Sequence, residues 1–465
     1  MTAILDPHRA LFAAHALLPE GWASDVLLAW DETGRLTDVR SVDASTVTQI
    51  PHAAGPLIAG MPNLHSHAFQ RAFAGLSEYR SAGNDSDSFW TWRDLMYRFA
   101  QAISPEQLED IATHLYVEML QAGYTSVCEF HYLHHDASGQ AYGDAAEMSL
   151  RLLAAARRTG IGITLLPVLY QCAGFGALPP RADQRRFTNS VDGLLRIVER
   201  IRAQGARAGV APHSLRAVAP KALAELISGL DTIDPTAPIH VHIAEQAQEV
   251  QDCLAWSGQR PVQWLLAHAA VDARWCLVHA THMDAAETRA AAAAGATIGV
   301  CPSTEANLGD GVFGAVGWAA ANGHWGIGSD SHASVDAAEE LRLLEYSQRL
   351  TRQQRNLLAS PRHPQVADQL WLAGASGGAR ASGRPVGALE VGAQADFVVL
   401  DVSQTLAGLS PSQVLANHVF ASHGRNTVRD VWVDGQQRII QGRHALEGRS
   451  CERFVAARSQ LLREV

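Results

Sequence analysis

His65 and His67 are separated by one residue in the segment Pro62-Asn63-Leu64-His65-Ser66-His67. Alternate residues of a strand share a face, so both imidazoles can point the same way. Two imidazoles on one face are half of a zinc site, although the pair alone is a weak signal. Three later segments end apolar runs in the same manner: His240-Val241-His242-Ile243-Ala244-Glu245, Cys276-Leu277-Val278-His279-Ala280-Thr281-His282 and Gly328-Ser329-Asp330-Ser331-His332. Taken singly, each reads better as a core histidine satisfied by backbone or as an aspartate capping the next helix. Four such placements on four apolar runs point to one centre. His65, His67, His242 and Asp330 would bind a metal through three neutral nitrogens and a carboxylate, a set that brings bound water to a pKa of about 7. The nitrogen-rich set favours zinc, and iron or manganese would fit the same ligands. Asp330 could also take the proton of the attacking water. His240 and His282 read as structural supports.

These residues need elements that bring their ends together. Candidate strands are residues 57–63, 125–130, 164–169, 209–212, 239–243, 276–279, 297–301 and 326–329. Alanine- and leucine-rich helices fit between them at 105–122, 149–159, 190–203, 220–228, 262–269, 285–294 and 337–351. Eight strands alternating with helices predict either a parallel barrel or a doubly wound sheet. The barrel is favoured because chemically active residues cluster at the C-terminal strand ends, where such barrels place their sites. Both chain ends are β-rich and turn-punctuated. They suggest a small β-sandwich domain built from residues 1–55 and 388–445, around a (β/α)₈ TIM barrel of 56–387, with a C-terminal helix at 446–465.

Composition sets the class. The chain has 465 residues, 47% hydrophobic and 18% charged, which is ordinary for a globular protein. A net charge of −10 argues against a nucleic-acid partner. Six scattered cysteines with no CxxC pair suit reduced thiols and a cytoplasmic location. The N-terminus lacks a secretory pattern, and no apolar stretch is long enough to span a membrane.

Three residues near strand ends suggest an anionic small-molecule substrate. Arg216 follows the fourth strand in His213-Ser214-Leu215-Arg216. Arg93 lies in the aromatic run Phe89-Trp90-Thr91-Trp92-Arg93. Tyr132 follows the second strand. A guanidinium fork matches a carboxylate, so two arginines and a tyrosine could hold a dicarboxylate. The long connection 68–105 contains the turn-rich stretch 81–86 and reads as a lid carrying Arg93.

The histidine pair after the first strand, histidines after the fifth and sixth, and aspartate after the eighth resemble the amidohydrolase superfamily over essentially the whole chain. Members with two metals usually carry a lysine at the end of strand 4, where this chain reads GVAPHS. The resemblance therefore implies one metal per subunit and the deaminase branch. The set MPNLHSHAFQRAFAGL, SFWTWRDLMYR, GYTSVCEFHYLHHD, HSLRAV, HIAEQ, CLVHATH, STEANLGDG and GIGSDSH is similar to the deiminases of N-formimino-L-glutamate within that branch. This similarity implies zinc on His65, His67, His242 and Asp330. It implies that Glu245 shuttles a proton to the leaving nitrogen, that His279 stabilises developing charge, and that Gln70 faces the formimino group with them. It also implies that Arg93, Tyr132, His213 and Arg216 hold the carboxylates, and that the protein acts as a homodimer. A nucleobase or S-adenosylhomocysteine deaminase is the alternative, and a non-catalytic metal-binding barrel a third. CPSTEANLG differs from the CPxSN pattern of nucleobase deaminases.

Overall fold

The computed structural model describes residues 6–79, 89–402, 404–422 and 425–465. In the middle of the chain, Met61–Ser66, Tyr124–His131 and Gly162–Leu169 pair in parallel, and the third extends to Arg207–Ala208 and Ala211–Pro212. A second parallel run joins Ile239–Ile243, Trp275–His279, Thr297–Val300 and His324–Ile327. Single bridges close the two runs on each other. Val210 meets Ile239 and Ser214 meets His242 on one side, and Ser66 meets Asp330 on the other. The result is a (β/α)₈ barrel. Helices cover its outside, so its strands are mostly buried on both faces and read as apolar runs rather than alternating ones.

Local signals start the helices where expected. Ser104 and Gln107 form a capping box with Pro105 in the first turn of Pro105–Gln121. Asp284 and Glu287 do the same for Ala285–Ala293, and Asp336 caps Ala337–Arg352. The C-terminal helix Glu447–Glu464 packs on Pro105–Gln121, with Phe454 stacked on His114 at 4.6 Å.

The two chain ends share one eight-stranded sheet. Its order runs Arg443–His444, Gln436–Ile440, Val428–Val433, Phe397–Leu400, Leu57–Ala59, Ala10–Leu18, Gly21–Trp30, Leu36–Ser41. Residues 57–63, expected as one barrel strand, are therefore two. Leu57–Ala59 completes the outer sheet and Met61–Ser66 begins the barrel. Gly60 lies between them. A Cβ there would sit 2.2 Å from Thr125 Cγ2 and 2.4 Å from Thr125 Oγ1, so only glycine lets the chain pass from one sheet to the other at this spot.

Other expectations also change. The connection 68–105 is not one long loop. Its end is the helix Phe89–Ala102, whose capped neighbour Pro105–Gln121 follows almost at once. The turn-rich stretch 81–86 of the expected lid lies outside the described residues. The eighth strand runs His324–Ile327 rather than 326–329, because its ladder with Thr297–Val300 starts at His324. A further helix, Val366–Ser382, lies against strands Met61–Ser66 and His324–Ile327. Its Gly377 is pressed so tightly that a Cβ would fall 1.7 Å from the Trp325 carbonyl oxygen. Among the described residues no helix is long and apolar enough to cross a membrane.

Candidate metal centre and substrate cavity

The bridge from Ser66 to Asp330 closes the barrel and also assembles the donor cluster. Asp330 N donates to His65 O at 3.0 Å, and His67 N donates to Asp330 O at 3.2 Å. At the opposite seam, His242 N donates to His213 O at 3.1 Å. The side chains converge above this backbone. His65 Nε2 lies 3.1 Å from His67 Nε2 and 2.9 Å from His242 Nε2. Asp330 Oδ1 lies 3.4 Å from His65 Nε2 and 3.3 Å from His67 Nε2.

These four donors fit a metal. Burial pushes His65 down to about 3 and also lowers His67 and His242, so the rings are neutral. His67 Nδ1–H donates to Phe130 O at 2.8 Å, which leaves the Nε2 lone pair facing inward. Neutral lone pairs so close together repel unless a cation lies among them. A tetrahedral ion with bonds of about 2.0–2.1 Å places its ligand atoms about 3.4 Å apart, close to the spacing seen. Burial would raise Asp330, but a hydrogen bond with His65 and the charge of His279 outweigh it and lower its pKa.

Beside the cluster, His279 Nδ1 lies 3.3 Å from Glu305 Oε1, while its Nε2 lies 3.7 Å from Asp330 Oδ2 and 3.9 Å from Glu245 Oε1. Burial opposes charge on this ring, but Glu245, Glu305 and Asp330 push its pKa up to about 10. Burial raises Glu245. His279 and Arg216 work against that rise, so an imidazole and a carboxyl that each favour the other's charge face one another at 3.9 Å. Ala244, His279, Ala280, Asp330 and His332 all have φ between 45° and 66°. Left-handed backbone at non-glycine residues is costly, and its concentration at three strand ends marks a site held by its surroundings.

A cavity opens over the cluster, lined by His67, His242, Glu245, His279 and Asp330 on one side and by Gln70, Arg93, Tyr132, His213 and Arg216 on another. The structure therefore brings together the site residues expected from the sequence, with His65 immediately beneath. Gln70 Nε2 donates to the Tyr132 hydroxyl at 3.0 Å. The His213 ring lies 4.9 Å from that of His242. Burial lowers Arg93, and the repulsion of Arg216 adds to this. Burial opposes the charge of Arg216 too, but Glu249 and Glu245 hold it on.

The family model described as "Amidohydrolase family" matches residues 57–438. The chain belongs to the amidohydrolase family. It is 51% identical to a formimidoylglutamate deiminase from Pseudomonas aeruginosa, covering 97% of this chain and 99% of that protein. A crystal structure of an amidohydrolase from Brucella melitensis superposes with a TM-score of 0.92 at 46% identity, over 98% of this chain and 100% of that one. An adenosine deaminase from Xanthomonas campestris with bound zinc superposes at 0.80 with 23% identity, over 98% of both chains, and supports the fold alone.

Several cavity and support residues of this amidohydrolase are not among those expected from its sequence. Tyr97 and Tyr170 line the cavity. Tyr97 had a readable signal, because it lies one helical turn beyond Arg93. Glu305 orients His279 and also accepts from Cys301 N at 2.9 Å. Glu249 accepts from Glu245 N at 3.1 Å. Glu129 accepts from Ser66 Oγ at 2.6 Å, Ala68 N at 2.7 Å and Tyr116 at 3.2 Å, and so anchors the loop carrying His67. His240 and His282 are supports, as expected. Nε2 of each meets a backbone carbonyl at 2.8 Å, on Ala381 and Asp310 respectively.

Proposed function

We propose that this amidohydrolase hydrolyses N-formimino-L-glutamate to N-formyl-L-glutamate and ammonia, a step of histidine degradation. One observation carries the reading: Arg93 and Arg216 share a cavity with the three-histidine, one-aspartate cluster. Two guanidiniums that repel each other across a cavity are relieved by a dianion, and a purine offers none. The name of the Pseudomonas aeruginosa relative supports the same substrate.

In this reading His65, His67, His242 and Asp330 hold one zinc. When bound, zinc supplies Lewis acidity and brings its water to a pKa of about 7. The protein's own groups do the rest. Arg93, Arg216, Tyr132 and His213 hold the carboxylates and so fix the amidine over the cluster. Asp330 takes the proton of the attacking water. His279, kept cationic by Glu305, stabilises the charge that develops on the new oxygen. Gln70 faces the amidine. Glu245 returns a proton to the nitrogen, which leaves as ammonia once the C–N bond breaks. Water adds one oxygen to the carbon and its two hydrogens end on nitrogen, so the reaction balances.

The test is ammonia release by zinc-loaded protein offered N-formimino-L-glutamate, adenosine, S-adenosylhomocysteine and 8-oxoguanine in parallel. Turnover of the first alone is expected. Ammonia from a purine and none from the formimino compound would overturn the reading.

A further inference from the structure

Tyr97 and Tyr170 line the cavity beside the two arginines, yet the mechanism above does not use them. Both are buried, with 5% and 7% of their surface exposed. Tyr97 belongs to the helix Phe89–Ala102 and Tyr170 follows the strand Gly162–Leu169. Gln184, in the short turn Ala182–Gln184, faces both. Its Nε2 donates to the Tyr97 hydroxyl at 3.2 Å and to the Tyr170 hydroxyl at 2.8 Å. Its Oε1 accepts from Arg181 N at 2.8 Å. That last bond settles which end of the amide faces the phenols, because a backbone N–H needs an acceptor.

A phenol oxygen that accepts still has its own hydrogen to place. The two hydroxyls interact with each other, which uses at most one of the two hydrogens. Among the described residues, no other protein group accepts from either hydroxyl. At least one buried donor is therefore left over, and its surroundings are cationic. The Arg93 guanidinium carbon lies 5.5 Å from the Tyr97 ring centroid, and Arg181, itself paired with Asp183, stands over the same ring at 5.3 Å. Arg216 acts on both phenols. Surplus donors among guanidiniums suit an anion.

We infer that Tyr97 and Tyr170 are a further part of the substrate site, donating from their hydroxyls to a carboxylate that Arg93 and Arg216 attract. Gln184 is the positioning residue that aims them. The inference rests on the dicarboxylate reading above. The helix that carries Arg93 is docked by more than its tyrosine hydroxyls. Arg186 donates to Ala100 O at 2.6 Å and to Ile103 O, just past the helix end, at 2.9 Å.

The test compares Tyr97→Phe, Tyr170→Phe, the double variant, Gln184→Glu and Arg93→Met. It measures KM and kcat for N-formimino-L-glutamate and Ki for glutarate, with zinc content as a control. A hydrogen bond to a charged group corresponds to about a tenfold effect or more, so at least one single variant should raise KM and Ki about tenfold. The double variant should raise them further, with kcat within about twofold. Gln184→Glu keeps both rings but draws the phenol hydrogens away from the cavity, so its KM should match the double variant. KM and Ki within twofold of wild type in both single variants and the double, while Arg93→Met raises them, would overturn the inference and leave the dicarboxylate reading intact. If Arg93→Met changes neither constant, the dicarboxylate reading falls and takes the inference with it. Should the double variant not fold, the single variants decide.

Discussion

Arg216→Met tests the cavity most sharply, because this guanidinium faces two ways. Toward the substrate, it is one of two cations available to a dicarboxylate. Toward the protein, its charge is balanced by Glu249 and Glu245. Removing one partner of a buried charge pair costs about 2–5 kcal/mol. A central value of about 3 kcal/mol lowers kcat/KM about 150-fold. A second effect follows from the same geometry. Arg216 helps to lower Glu245, whose pKa burial raises. Without the arginine, Glu245 should keep its proton to higher pH, and the Glu245 limb of the kcat/KM profile should move up. Arg93→Met should weaken binding without this movement, since Arg93 is not among the main influences on Glu245. The assay is coupled ammonia release from pH 5 to 10 for wild type and both variants, with zinc content measured on each. A loss under threefold in Arg216→Met would refute the clamp. A large loss with an unmoved limb would refute the link to Glu245.

Other outcomes follow from the same contacts. Asp330→Asn and His242→Ala should lose bound metal, measured by elemental analysis, together with ammonia release. Glu305→Gln should retain metal but lower kcat about 10–100-fold, as expected when a group orienting a site histidine is altered; unchanged kcat would remove Glu305 from the site. Burial pushes Glu129 up to about 7 from an ordinary 4.5, so the fold retains a proton that the unfolded chain releases. Its contribution to stability is full below about pH 4.5 and is lost as pH rises through about 7. Glu129→Gln should therefore flatten the fall of Tm across that window; parallel Tm curves for the two proteins would count against it. Gly60→Ala should lower stability by about 1–3 kcal/mol through the clash with Thr125, read by chemical denaturation.

The sequence alone determined the strand–helix alternation and the donor types. His65 and His67 follow from strand period. The apolar runs before His242, His279 and Asp330 are what a barrel strand buried on both faces must look like. The helix starts at Ser104 and Asp284 follow from local capping chemistry. None of this depends on distant parts of the chain.

Tertiary structure decided what chain-distant neighbours impose. Residues 57–63 carry one apolar pattern, yet the outer sheet takes Leu57–Ala59 and the barrel takes Met61–Ser66. The pattern is blind to this split because burial in either sheet asks for the same residues. Only the closing bridge of Ser66 with Asp330 brings the first and last barrel strands within coordination distance. Gln184 meets Tyr97 across 87 residues, and His279 meets Glu305 across 26. Such pairs carry no local periodicity, so the sequence supplied the groups and barrel closure supplied their geometry.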